Sequence, residues 1–363
     1  MRIVRGIVLG IVASIAIMQL FGRGHAHTKS RLVAEDASAP IAKIAIHYAP
    51  ASDRVALGVW KQLFAVLPAQ VEVEVEVGSA PDFDRFLARV QPLHRERFHP
   101  VVVGAQITTW SRDRYAALVD ENGAGAILAP PRIETPFASR AGDARSPLAI
   151  SRALYGQDPH VADIVFEGGD LAATPRYVFA DVNLAARNLG RADADRPSIE
   201  RELHHRFAQE IVWLGDELGD VPRHHIMMYM VPLDDHTIAV GDVRAGVQLL
   251  GDEPLELDDV DVEARRFDHA AELLAAHGFH VVRVPVLVRA GAGSYVTYTN
   301  AVFDRRADGK RVVYMPTYQL PALDRAGQAF YEAQGFEVHP IDVSPIYGLN
   351  GSLGCLVNVL ARS

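Results

Sequence analysis

A chain of 363 residues, 49% hydrophobic and 22% charged, has the composition of a folded protein with a large core, which excludes a disordered chain. Its formal net charge of −9 excludes a general nucleic-acid binder, which needs a basic face to offset phosphate. A single cysteine, Cys355, excludes an internal disulfide.

At the N-terminus, Arg2 and Arg5 precede an apolar run from Ile7 to Phe21, followed by Gly24-His25-Ala26. A positive start, an apolar stretch and a small-x-small ending read as a secretory signal over residues 1–26. The run falls short of the ~20 apolar residues of a membrane span. An uncleaved anchor over residues 7–21 is the alternative. The expected location is therefore exported, periplasmic or secreted, with membrane contact only through that segment. Removing residues 1–26 takes away three arginines and no acid, moving the formal charge from −9 to −12. Residues 27–39 read as a polar linker and residues 40–363 as one domain.

Ile41–Tyr48 reads as a strand, Arg54–Leu67 as a helix, and Val71–Val77 as an alternating strand. Val101–Gly104 is another strand. An arrangement of strand, strand, helix, strand then recurs. One copy runs through Ile164–Ala173 and Tyr177–Val182 to a helix over Ile199–Leu214. The next has strands Ile226–Leu233 and Thr237–Val240, helix Ala264–His277 and strand Phe279–Val282. The last has strands Ser294–Phe303 and Arg311–Tyr318, helix Ala322–Gln334 and strand Phe336–Val338. Gly278-Phe279 and Gly335-Phe336 open matching Gly-Phe-x-Val steps, and glycine there suits a left-handed helix C-cap. Units of ~50 residues point to a propeller-like repeat of about five ββαβ units, the first split between the two chain ends. The acidic segment 252–263 reads as a solvated insertion within one unit; it lacks the ligand spacing and glycine turn of a calcium loop.

Polar patterns stand at matching places in these units. They are Trp110-Ser111-Arg112-Asp113, Glu167-Gly168-Gly169-Asp170, His224-His225-Ile226-Met227, Thr299-Asn300 and Asn350-Gly351-Ser352-Leu353-Gly354-Cys355. The steps are 54 residues from Asp113 to Glu167, 58 to His225, 75 to Asn300 and 55 to Cys355. Polar residues at one place in each unit converge on one site. Acid, imidazole and thiol together are what nucleophilic catalysis needs.

These patterns resemble the guanidino-group-modifying enzymes of the pentein fold, nearest the agmatine deiminase and bacterial peptidylarginine deiminase branch. The resemblance covers nearly the whole chain after residue 40. It implies an α/β pentein-type propeller with pseudo-fivefold symmetry. Trp110-Ser111-Arg112-Asp113 is similar to the family's W-x-R-D step, whose aspartate binds the guanidinium. Glu167-Gly168-Gly169-Asp170 resembles E-G-G-D, whose glutamate assists the histidine. His225 matches the general acid/base, and Cys355 the nucleophile. The segment Gly293–Asn300 resembles in part an S-Y-x-N step, which places Asn300 in the site lining. Two positions depart from the pattern. Met227 stands where the family has the aspartate of H-x-D, and Gly354 where it has a histidine before the cysteine. Losing a carboxylate weakens the fork-shaped grip on an arginine-like group.

What the resemblance implies is a deiminase-type cysteine hydrolase. Asp113 and Asp170 bind the N–C–N group, with Trp110, Asn300 and Met227 around it. Cys355 attacks as thiolate, and His225, oriented by Glu167, shuttles the proton. No metal or organic cofactor is needed. Agmatine, a peptidyl arginine and a modified guanidine stay open as substrates. A catalytically silent pentein binding a cationic ligand or partner, and an amidinotransferase, stay open as alternatives.

Overall fold

The computed structural model of the chain describes residues 29–132, 138–190, 195–291 and 294–363. The expected signal or anchor over residues 1–26 lies outside them, as does Gly293. No helix among the described residues is long and apolar enough to cross a membrane.

In chain order the fold begins with β1 (Arg31–Leu32), β2 (Ile41–Tyr48), helix α1 (Asp53–Val66), β3 (Glu72–Val77), α2 (Ala80–Val90) and β4 (Phe98–Val102). Next come β5 (Ala116–Val119), β6 (Gly125–Ala129), α3 (Ser146–Tyr155) and β7 (His160–Val161). A third group is β8 (Ala172–Ala173), β9 (Tyr177–Asp181), α4 (Val182–Arg187), α5 (Arg196–Arg206) and β10 (Glu210–Leu214). A fourth is β11 (Met230–Pro232), β12 (Thr237–Asp242), α6 (Val243–Leu250), α7 (Val260–Ala276), β13 (His280–Val288) and β14 (Tyr295–Thr297). The last is β15 (Val302–Arg305), β16 (Arg311–Thr317), α8 (Pro321–Ala333) and β17 (Phe336–Asp342), before the short α9 (Leu353–Leu356) and β18 (Val357–Arg362).

The described strands form five small sheets. Each contains an antiparallel pair followed by a parallel pair, with a helix between the parallel strands. In the sheet β18-β2-β3-β4, β18 runs antiparallel to β2 and β2 parallel to β3, so this sheet joins both ends of the chain. β15-β16-β17 repeats that pattern, as do β11-β12-β13 and β8-β9-β10. A parallel pair needs a crossover, and the amphipathic helices supply it by burying one stripe on their sheet. In α1 that stripe is Ala56, Val59, Trp60, Leu63 and Phe64.

Several expectations need correction. The segment 27–39 is not a polar linker where it is described. β1 pairs antiparallel with β5, and Leu32, Val33 and Ala37 are buried. Its Glu35 makes a buried ion pair with Arg112. The helix expected over Ile199–Leu214 stops at Arg206. Asp195 caps its start, while Ile211-Val212-Trp213-Leu214 pairs in parallel with β9, because β-branched and aromatic residues suit a pleated surface better. The strand expected over Ile226–Leu233 opens as a tight 3-10 turn, Ile226–Met228, before β11. Ile164–Ala173 likewise holds a 3-10 turn at Gly168–Asp170 before β8. Ser294–Phe303 divides into β14 and β15, which belong to different sheets. The acidic segment 252–263 is not loop throughout. Asp259 caps α7, accepting from the Asp261 and Val262 amides, and Glu263 is buried in its first turn. Acids are favoured there by the helix dipole. Within β3, Glu74 and Glu76 are buried: Glu74 pairs with Lys43 and Glu76 accepts from Tyr115 Oη at 2.6 Å.

Candidate active site

Each of the three departures from plain strand carries a polar residue inward. The 3-10 turn at Gly168–Asp170 is closed by a reciprocal cap: Asp170 Oδ2 accepts from the Glu167 amide at 2.7 Å. This fixes the Glu167 backbone at the turn. His225 precedes the turn Ile226–Met228, whose Met228 amide donates to the His225 carbonyl at 2.9 Å. Residue 224 enters that turn with φ 83°, a left-handed conformation uncommon for histidine. Asn300 lies at the crossing from β14 to β15, and Cys355 within α9.

These turns bring Glu167, His225 and Asp113 together. His225 Nε2 donates to Glu167 Oε2 at 2.8 Å, and His225 Nδ1 stands 3.6 Å from Asp113 Oδ1. Asp170 Oδ1 is 3.9 Å from His225 Nε2. The His225 ring lies over the backbone of Gly169, where a Cβ would come within 2.5 Å of Nδ1. That close approach is why the second glycine of Glu-Gly-Gly-Asp is needed.

Asn300 holds the cysteine whose thiol interacts with His225. Its Nδ2 donates to Cys355 Sγ at 3.5 Å, and its Oδ1 accepts from the Cys355 amide at 3.2 Å. A Cβ on Gly354 would meet Asn300 Oδ1 at 2.9 Å, so Asn300 already fills the space beside the residue that precedes the cysteine. Trp110 packs on the same loop; a Cβ on Gly351 would come 2.3 Å from its ring. Met227 is buried, and its carbonyl accepts from Thr299 Oγ1 at 2.9 Å. Behind the cysteine loop, Ser352 Oγ and Tyr318 Oη share a hydrogen bond of 2.8 Å. All eight residues singled out in the sequence are buried.

Cations that the sequence patterns do not mark complete the site. Arg114 is fully buried, with Nε 3.0 Å from Asp143 Oδ2, Nη1 3.5 Å from Glu167 Oε1 and Nη2 3.7 Å from Asp113 Oδ2. Arg187, at the end of α4, reaches Glu167 Oε2 at 2.9 Å and Asp170 Oδ2 at 2.7 Å. Arg112 turns away from Asp113 to Glu35 and to the Leu171 carbonyl at 2.9 Å. The one available signal was Arg114 itself, next to the Trp-x-Arg-Asp step.

The charges follow from this geometry. Burial pushes the His225 imidazolium toward neutrality, but Asp113, the Cys355 thiol and Glu167 outweigh it and hold its pKa well above the ordinary histidine value. Burial also pushes Glu167 up, yet His225, Arg187 and Arg114 win and hold it well below the usual carboxylate range. Asp113 goes the other way: burial, helped by Glu167, raises it against the pull of His225 and Arg114. Desolvation of its ring, and then the charged His225 beside it, push His224 down to about 3. Asp113, Glu167 and His225 also offer one ligand atom each within 4.8 Å of one another. Such a set suits a divalent cation. Arg114 and Arg187 on the same carboxylates disfavour a further positive charge.

No protein-family model matches the chain, and no curated protein matches it by sequence. Solved structures do. A C. jejuni agmatine deiminase with substrate bound superposes with a TM-score of 0.68 at 18% identity, over 92% of this chain and 97% of that one. Agmatine deiminase of Enterococcus faecalis superposes with a TM-score of 0.67 at 13% identity, over 93% and 97%. With its small mixed sheets and crossover helices, the chain has the pentein fold, in the form that the agmatine deiminases share.

Proposed function

We propose that the chain is an exported cysteine hydrolase acting on a guanidino or amidine C–N bond, its five units set about one axis on which the site residues converge. The observation that carries this reading is one imidazole held by two carboxylates, Glu167 at 2.8 Å and Asp113 at 3.6 Å, beside a thiol that Asn300 contacts at 3.5 Å. Asp113 takes one N–H edge of the substrate. Asp170 backs Glu167 with one oxygen and turns the other toward the imidazole. The Cys355 thiolate bonds to the central carbon, and the C=N π pair moves onto nitrogen. His225 gives its proton to the departing nitrogen, and that C–N bond breaks to release ammonia or an amine. The thiouronium intermediate then takes up water, whose proton returns to His225. The C–S bond breaks, and a ureido product leaves. One water is consumed per nitrogen released. The substrate is a small molecule or a peptidyl group; nucleic acid has no part in it.

The test measures ammonia and ureido product with agmatine, a peptidyl arginine, an N-methylated guanidine and a weakly basic N-acylguanidine. Turnover of at least one is expected, with Cys355→Ala losing it by ~10³-fold or more. Equal activity in Cys355→Ala, or no product from any substrate by folded protein, sinks the hydrolase. The second outcome favours a silent pentein binding a ligand, the reading that Met227 in place of an acid supports.

A further inference from the structure

The hydrogen-bonding groups left unspent at the site define the charge of what it takes. Arg114 is enclosed by Asp143, Glu167 and Asp113, yet none of its Nε, Nη1 and Nη2 atoms makes a hydrogen bond among the described residues. Its three contacts, at 3.0 to 3.7 Å, are ion pairs without hydrogen-bond geometry. Asp113 Oδ1 and His225 Nδ1, 3.6 Å apart, are likewise without hydrogen-bond partners. Asp113 therefore presents an acceptor on one oxygen and an arginine beside the other.

A guanidinium carries donors only, and so does Arg114. A guanidinium satisfies Asp113 Oδ1 but brings Arg114 nothing except like charge in a buried site, where repulsion is strong. An uncharged amidine-type group carries both kinds of partner: an N–H for Asp113 and a lone pair for Arg114. Deprotonating an ordinary guanidinium at pH 7 is disfavoured by about 10⁵-fold, given a pKa near ~12.5. The group must then be weakly basic from the start, through an electron-withdrawing substituent on nitrogen. Met227 acts in the same sense, since a methionine supplies no second carboxylate to hold a cation.

We propose that Arg114 is the specificity-determining residue of this site, and that the site takes a guanidine or amidine whose nitrogen bears an electron-withdrawing group and which is uncharged when bound. This inference rests on the hydrolase reading above.

Two thiol reagents of nearly equal size separate the charge states. 2-Chloroacetamidine is a cation and 2-chloroacetamide is neutral. Each bonds its methylene carbon to sulfur as chloride leaves. The rate of Cys355 labelling by each, read by intact mass, is divided by its rate with a free thiol at the same pH. In wild type the amidine-to-amide ratio is expected at or below about 1, and Arg114→Gln should raise it at least ~10-fold, the scale of one charge-assisted contact. Arg114→Lys, which keeps the charge, should leave the ratio within about 3-fold, a difference small against one charge-assisted contact. If Arg114→Gln does not fold, Met227→Asp, which adds an acid, decides, with the same ~10-fold rise expected. A wild-type ratio above about 1, or a ratio unmoved by the deciding variant, overturns the proposal; electrostatic complementarity then lies elsewhere. Failure of both reagents to label Cys355 in folded protein overturns the hydrolase reading itself, and this inference with it.

Discussion

His225 keeps its proton near neutrality because Asp113, Cys355 and Glu167 outweigh its burial. A base whose folded pKa is raised contributes stability that is fully present below the ordinary histidine value and is lost as pH rises through the folded one. Asp113 has the opposite sense for stability. As an acid raised by burial, it costs the fold increasingly as pH climbs from the ordinary aspartate value to the raised one. The proposed mechanism needs Asp113 ionised and His225 protonated. The profile of kcat/KM against pH should be a bell, with its acid limb above the ordinary aspartate range and its alkaline limb above the ordinary histidine value. An alkaline limb at or below about 6.5 contradicts the charge assignment. Trp110, Asp113, Glu167, His225, Asn300 and Cys355 were legible in the sequence because they recur at one place in each repeat. Arg114 and Arg187 were not, because an arginine is usually solvated, and only the fold reveals Arg114 fully buried and Arg187 half-buried against Glu167 and Asp170.

Helix α4 shows how an element can serve the site at a cost to itself. Asp181 caps it, accepting from the Asn183 amide at 2.8 Å and from Tyr229 Oη at 2.8 Å, and Arg187 at its other end holds Glu167 and Asp170. Burial raises Asp181 to about 7, and the nearby Asp170 adds to this against the Tyr229 and Asn183 hydrogen bonds. The unfolded chain ionises this group first, so its stability penalty grows from about pH 4 to pH 7 and then levels. Asp181→Asn keeps a cap and removes the ionisation. It should stabilise the protein by ~2–4 kcal/mol at pH 8, and by clearly less at pH 5. Urea denaturation at the two pH values measures this; an equal gain at both would show that ionisation is not the cause. The short 3-10 turns that present Glu167 and His225 were read as strand. Period and propensity do not distinguish one tight turn within an apolar run from the strand on either side of it.

Across the whole molecule, the repeats were legible because the helix ends at Gly278 and Gly335 each feed a strand of the same pattern. The role of residues 31–37 was not, because their burial depends on the far end of the chain. Arg362 donates to the Ala34 and Ala39 carbonyls at 2.7 Å each, and to the Phe303 carbonyl at 3.0 Å. It thereby clasps the entering segment to β18 and to β15. Arg362→Met leaves these acceptors without a donor and should cost ~1–3 kcal/mol, seen as a lower urea midpoint with unchanged slope. A loss under about 0.5 kcal/mol would make the clasp incidental.

Arg362 and Ala34 are 328 positions apart, and β18 must find β2 across a similar separation. Such pairing is slow, because a very long loop must close before its contacts reward it. On an emerging chain, Asp113, Glu167 and His225 are threaded out long before Cys355. The proposed nucleophile and imidazole therefore meet only when the sheet of β2 receives β18. Synthesis itself works as a safety catch: the thiol is armed last, by the same step that closes the fold.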